Sequence, residues 1–146
     1  MKVEIDIQEK YEALIVCIKN NTLNDEVTSL MKKLESDTAK KIVGKRNDSI
    51  FLLDPSDIVF FYSEGNKLKA DTMEKQYEVK EKLYVLEEML QPFGFVRLSK
   101  YALANVNMIQ CINVEFNGSL VVQFKNGKTE GISRRNITKV KKYLGI

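Results

Sequence analysis

Apolar and polar residues alternate at the start of the chain. In residues 2–7 (KVEIDI), Val3, Ile5 and Ile7 fall on one side and charged residues on the other, which is the two-residue period of a half-buried strand. Residues 12–18 (EALIVCI) form a continuous apolar run, which predicts a covered strand. Asn20-Asn21-Thr22 interrupts it. Leu23, Val27, Leu30, Met31 and Leu34 then recur at spacings of three and four. They predict an amphipathic helix over 23–36, capped by Thr22 or Asn24. This β-β-α extension, residues 1–40, is too small to be an independent domain. It is expected to pack on the rest of the chain or on another subunit.

From residue 41 to residue 146 the pattern changes to many short strands. KKIVGKR (40–46) and SIFLLD (49–54) flank Asn47-Asp48; Asp54-Pro55-Ser56-Asp57 is a turn with Pro at a favoured position. IVFFYSE (58–64) is a strongly apolar strand, and KLKADT (67–72) returns after Glu64-Gly65-Asn66. A short strand follows at 76–80. Leu83, Leu86 and Leu90 mark one inserted helix over 81–90, ended by Pro92 and Gly94. After a strand at 95–98, residues 99–105 read as a turn or 3₁₀ piece. Asn117-Gly118 and Asn126-Gly127 each join apolar runs, the strongest short-range hairpin signal. Ser133 opens a terminal helix, 134–144, with Ile137, Val140 and Leu144 inward. The fold class expected is mostly β: roughly eight to ten strands in antiparallel sheets, with a small inserted helix and a C-terminal helix.

Composition narrows the chemistry. The chain has 146 residues, is 44% hydrophobic and contains no His. It therefore lacks His-based triads, His metal ligands and the usual near-neutral proton shuttle. Cys17 and Cys111 cannot supply a zinc site alone and are expected to be buried and reduced. Glu87 and Glu88 are adjacent on a helix and point apart, so they make no general acid/base pair. No Gly-rich phosphate loop is present. No catalytic, metal or cofactor assignment follows, and neither enzyme activity nor a small-molecule substrate is expected. The N-terminus has no apolar run of a signal peptide, and the apolar stretches fall far short of the roughly 20 residues that span a bilayer. A cytoplasmic protein is expected.

Charge is distributed unevenly. Residues 1–40 and 41–90 each carry a net −2, whereas residues 91–146 carry nine basic and two acidic side chains, a net +7. Such asymmetry points to a polyanion partner or to a solvated basic face. The basic residues sit on turns and on the last helix, which is not a helix-turn-helix arrangement.

Four ordered segments narrow the choice. They are Asp57–Glu64 followed by Asn66-Lys67-Leu68, the helix Lys82–Leu90, Phe95–Lys100 with Asn105, and Asn126-Gly127-Lys128 running into Ile132-Ser133-Arg134-Arg135-Asn136. In this order, residues 41–146 resemble the LytTR DNA-binding domain of bacterial transcriptional regulators. The resemblance implies a fold of packed antiparallel sheets. It also implies a sequence-specific regulator that reads double-stranded DNA with loops, entering two successive major grooves, and binds as a homodimer.

Three places would reach the DNA if the resemblance holds. Asn66 and Lys67 follow the apolar strand, Ser99 and Lys100 occupy the turn after Arg97, and Arg134 and Arg135 begin the terminal helix. Arg135 matches the family's base-reading Arg, and a bidentate Arg on guanine is worth about 1–3 kcal/mol of discrimination. Lys128, Lys139 and Lys142 are expected on phosphates, where they position the protein without reading sequence. Arg97 is either a DNA contact or a packed, ion-paired side chain. Asn105 is expected to bond to backbone in its turn. Glu64 either orients Lys67 or is simply exposed. Many relatives carry a receiver domain, for which residues 1–40 have no room. This chain therefore resembles the stand-alone branch, often controlled by a separate membrane protein. An alternative on the same fold is a protein–protein interaction module with such a membrane partner.

Overall fold

The computed structural model describes residues 1–35 and 41–146. A first helix, α1 (Asp25–Glu35), is followed by β1 (Ile42–Arg46), β2 (Ser49–Leu53), β3 (Ile58–Glu64), β4 (Lys67–Thr72), β5 (Gln76–Val79), α2 (Leu83–Leu90), β6 (Phe95–Ser99), β7 (Ala102–Asn105), β8 (Ile109–Val114), β9 (Leu120–Phe124), β10 (Thr129–Ile132) and α3 (Arg134–Leu144). The strands form a seven-stranded sheet in the order β2-β1-β5-β4-β3-β7-β6 and a three-stranded sheet in the order β10-β9-β8. Every pairing is antiparallel.

Both faces of the larger sheet are covered at β3, β6 and β7, which is why β3 reads as an unbroken apolar run. On one face Phe61, Leu103 and Phe95 join Ile42, Val79 and the Leu86 and Leu90 side chains of α2. On the other, Phe60, Ala102, Ala104, Val96 and Leu98 meet Val122 and Phe124 of the smaller sheet and Val140 of α3. Adjacent residues of one strand thus serve opposite cores. Phe60 stacks on Phe124 with ring centroids 4.5 Å apart. Truncating a wholly buried aromatic such as Phe61 costs about 3–5 kcal/mol.

The structure corrects four expectations. Residues 2–7 and 12–18 are not strands and pair with nothing described. Apart from the half-buried Ile18, their apolar side chains are exposed, because a period-two pattern requires paired backbone and a covering surface that these residues do not find. The predicted turn at 99–105 contains β7, a central strand buried throughout. Its Ala-Leu-Ala core has low strand propensity, yet small side chains are what fit between two covered faces. The cysteines are exposed, not buried. Finally, the Asn-Gly hairpins have longer loops than a two-residue connection. Gly118 and Gly127 have positive φ but Asn117 and Asn126 do not, as in a type I turn closed by a left-handed Gly.

The first helix begins at Asp25, and Val27 N–H donates to Asn24 Oδ1 at 3.0 Å, so Asn24 is its cap. The helix rests against the 3₁₀ turn Gln91–Phe93. The end of the helix predicted over 23–36, the start of the strand predicted at 40–46 and the boundary after residue 40 lie outside the described residues.

Candidate nucleic-acid interface

Three chain reversals share one edge of the larger sheet. Glu64 and Lys67 face each other across the β3–β4 turn, where Gly65 takes φ +62°. A left-handed first central residue is what a tight II′ hairpin demands. Asn66 and Lys67 are exposed there. At the same end, Tyr62 of β3 pairs with Ala102 of β7, which places the β6–β7 turn, with Ser99 and Lys100, beside them. Two backbone hydrogen bonds join the edge: Ser63 N–H donates to Tyr101 O at 2.9 Å, and Ser133 N–H donates to Leu98 O at 2.9 Å. The second fixes the start of α3, and with it Arg134 and Arg135, next to the β6–β7 turn. The three contact positions inferred from sequence are therefore brought together.

Their electrostatic states differ. Arg134 and Arg135 are exposed and form no ion pair among the described residues. The first turn of α3 has no acidic residue, so two cations sit at the positive end of the helix dipole. This arrangement disfavours the isolated helix and favours an anion beside it. Asn136 Nδ2 donates to Ser133 Oγ at 2.7 Å, holding that turn closed. Lys100 Nζ lies 5.7 Å from the centroid of the Tyr101 ring. Ser99 Oγ accepts from Tyr101 N–H at 3.1 Å, so its hydroxyl already shapes the turn. Lys67 Nζ is 3.7 Å from Glu78 Oε2 on exposed side chains, a pair of little energetic weight. Glu78, not Glu64, is the carboxylate beside it.

The remaining basic residues lie elsewhere. Lys128, in the β9–β10 turn, donates to Asp71 Oδ1 at 2.9 Å. Asp71 is buried and also accepts from Asn126 Nδ2 at 2.7 Å. Lys128 thus brings a counter-charge to a buried carboxylate and fastens the two sheets. Along α3, Arg135, Lys139 and Lys142 follow at steps of four and three, one stripe of the helix. Lys139 lines a shallow cleft with Glu87, Glu88 and Arg97. Lys142 lies in the last turn of α3, where a cation also suits the helix dipole.

Several residues that shape the edge were not assigned from sequence. Arg97 is a packed, ion-paired side chain: its Nε donates to Glu87 Oε2 at 2.7 Å and its Nη1 to Lys100 O at 3.0 Å. It braces the β6–β7 turn from below. Tyr101 is exposed at the tip, signalled only by an aromatic following Lys100. Asp71 had a fainter signal, a lone carboxylate where the strand points inward. Asn105 bonds to backbone as expected, donating to Ile58 O at 2.9 Å and accepting from Asn107 N–H at 3.1 Å.

Known proteins share this architecture. Residues 48–145 match the family model of the LytTr DNA-binding domain. The chain is 28% identical over 147 residues to an uncharacterized HTH-type transcriptional regulator of Staphylococcus aureus strain MSSA476, covering 100% of this chain and 99% of that protein. It is 27% identical, with the same coverage, to a similarly described protein of strain NCTC 8325. Among solved structures it is similar to the LytTr DNA-binding domain of a methyl-accepting/DNA response regulator from Bacillus cereus. That likeness has a TM-score of 0.69 at 20% identity over 73% of this chain and 98% of that one. Sheets, edge and match together define a DNA-binding regulator domain. The chain belongs to the LytTR family. Although the relatives' names say HTH-type, no two α-helices among the described residues adjoin across a short turn. No described helix is long and apolar enough to cross a membrane.

Proposed function

We propose that this protein is a cytoplasmic, sequence-specific transcription regulator that reads double-stranded DNA with its joined turns. Residues 41–146 form the DNA-binding module and residues 1–40 an appendage to it. The observation that carries the reading is the pair of backbone hydrogen bonds from Ser63 to Tyr101 and from Ser133 to Leu98, which hold the exposed Lys67, Lys100, Arg134 and Arg135 along one edge. Arg135 reads a guanine, with Arg134 beside it. Ser99 and Lys100 approach a neighbouring groove, and Asn66 and Lys67 the next. Lys139 and Lys142 contact phosphate, as do the donors of Lys128 left over from Asp71. Two copies bind repeated half-sites.

Selection of duplexes from a random pool, followed by footprinting, tests this. Enrichment of a defined motif is expected, with affinity for it falling as salt rises because bound cations displace counterions. No enrichment at low ionic strength would overturn the reading. A duplex affinity indifferent to salt would favour an interaction module with a membrane-protein partner.

A further inference from the structure

The two sheets end in the edge strands β2, β6, β8 and β10. Charge, bulges and covering helices are how proteins keep such edges from pairing with another chain, and three of these edges have one. β6 is covered by α3, β8 has a bulge after Ile109, and β10 carries Glu130 beside a glycine. β2 has none. Its sequence, Ser-Ile-Phe-Leu-Leu, holds no charge and no proline, its register with β1 is unbroken, and β1 is its only strand neighbour among the described residues.

Hairpin geometry says which backbone groups of β2 are free. Arg46 and Ser49 face each other across the turn Asn47-Asp48. They form the closing hydrogen-bonded pair, and bonded residues alternate from there. Ser49, Phe51 and Leu53 therefore turn their N–H and C=O toward β1, and Ile50 and Leu52 turn theirs outward. The Ile50 and Leu52 residues are 73% and 69% exposed, and Val43, which faces Leu52 on the same side of the sheet, is 55% exposed. Phe51 lies on the other side against Tyr77, with ring centroids 5.1 Å apart.

We infer that β2 pairs antiparallel with β2 of a second copy, across a two-fold axis at Phe51. This register sets Ile50 of each copy opposite Leu52 of the other. Both have outward backbone groups, so each Ile50–Leu52 pair exchanges two hydrogen bonds. The Ile50 and Leu52 side chains of both copies meet on one face, flanked by Val43. The two Phe51 side chains meet on the other as a close, non-hydrogen-bonded pair. An isologous contact requires a surface that complements itself, and here the same two residues supply both halves of the ladder. A different partner would have to bring a strand matched to this register; a second copy has it by symmetry. Charge does not oppose the pairing. Asp48 and Asp54, which come opposite each other, lie beyond the ends of β2, and Lys41 already holds Asp54 at 3.0 Å. β2 is also at the far end of the strand order from β6 and β7, so the joined turns stay open.

The test is the mass of the full chain without DNA, by sedimentation equilibrium across the micromolar range. Wild type is expected to pass from monomer to dimer as concentration rises. Leu52→Pro removes an N–H that points outward, so no bond to β1 is lost, and self-association should weaken roughly tenfold or more as each copy loses one donor. I50K/L52K sets like charges opposite each other across the pair and should stay monomeric throughout. Its two positions are exposed, so its thermal melt should show a folded chain and it decides the matter if Leu52→Pro fails to fold. V114K/F116K, on exposed positions of the β8–β9 hairpin, should dimerise as wild type does. A wild type monomeric across the range would overturn the inference, as would an I50K/L52K dimer. A dimer lost instead in I5K/L14K would put the contact in the N-terminal segment and overturn it too. None of these outcomes depends on whether the protein reads DNA.

Discussion

Arg97 shows how a single side chain positions others. Its guanidinium joins Glu87 to the carbonyl of Lys100. The side chain is mostly buried, so its hydrogen bonds to a charged group outweigh those of a surface pair. A planar fork reaches two acceptors at once, which an ammonium does not reproduce. Arg97→Lys should therefore keep the net charge, cost about 1–3 kcal/mol in denaturant unfolding, and weaken binding to the selected duplex. Glu87→Gln keeps an acceptor and should show a smaller loss of both. Duplex affinity unchanged in Arg97→Lys, with the expected stability loss, would reduce Arg97 to a purely structural role. The sequence left Arg97 open between contact and brace because Glu87 lies ten residues away on another element, a distance that no local pattern bridges.

Between elements, polar anchors do what the cores cannot. Asp71 joins β4 to the β9–β10 turn through Lys128 and Asn126. The two partners are unequally solvated: the Asp71 side chain is 2% exposed and that of Lys128 is 43% exposed. Removing the cation strands a buried anion, whereas removing the anion leaves a cation that water can reach. Lys128→Met should thus destabilise more than Asp71→Asn in chemical denaturation, and the double variant should recover part of the loss. The opposite order would contradict this account of the clamp.

A second anchor, Asp54, caps the 3₁₀ turn Pro55–Asp57 that leads into β3. The backbone N–H of Ser56, then Lys41 and the Ser56 hydroxyl, hold its carboxyl down from 3.8 to about 2. A carboxyl lowered in the folded state contributes stability above its unfolded value and loses it as pH falls through the folded one. Wild-type stability should therefore drop between about pH 4 and pH 2 more steeply than that of Asp54→Asn. At neutral pH, Asp54→Ala should cost about 1 kcal/mol as a lost cap; equal acid slopes would refute the assignment. Elements with strong local signals were legible in the sequence: the apolar β3, the leucine stripe of α2, and α3 with its limits. The strand β7 was hidden because Ala102 and Ala104 have no strand preference and only their neighbours select them. The strands expected in residues 2–7 and 12–18 were read from a real periodicity with no partner in the described chain.

Across the molecule, the charge asymmetry of the sequence becomes a geometric one. The +7 segment, residues 91–146, supplies the β6–β7 turn, the β9–β10 turn and α3, and the first and last of these meet the β3–β4 turn through β3 and β6. The positions proposed as contacts follow from the resemblance, which fixed their order along the chain. Which cations are unpaired was not visible, since Asp71 and Lys128 are separated by 57 positions. Arg135 stays exposed beside the helix N-terminus while Lys128 is held by a carboxylate. This divides the basic residues into those left exposed without an ion pair and those that hold the scaffold. The most direct measurement is a competition series in which each base pair of the selected duplex is changed in turn, titrated against wild type and Arg135→Ala of equal thermal stability. Wild type should discriminate at a guanine by about 1–3 kcal/mol, and Arg135→Ala should lose preference at that position alone. An Arg135→Ala profile that matches wild type at every position would contradict the account.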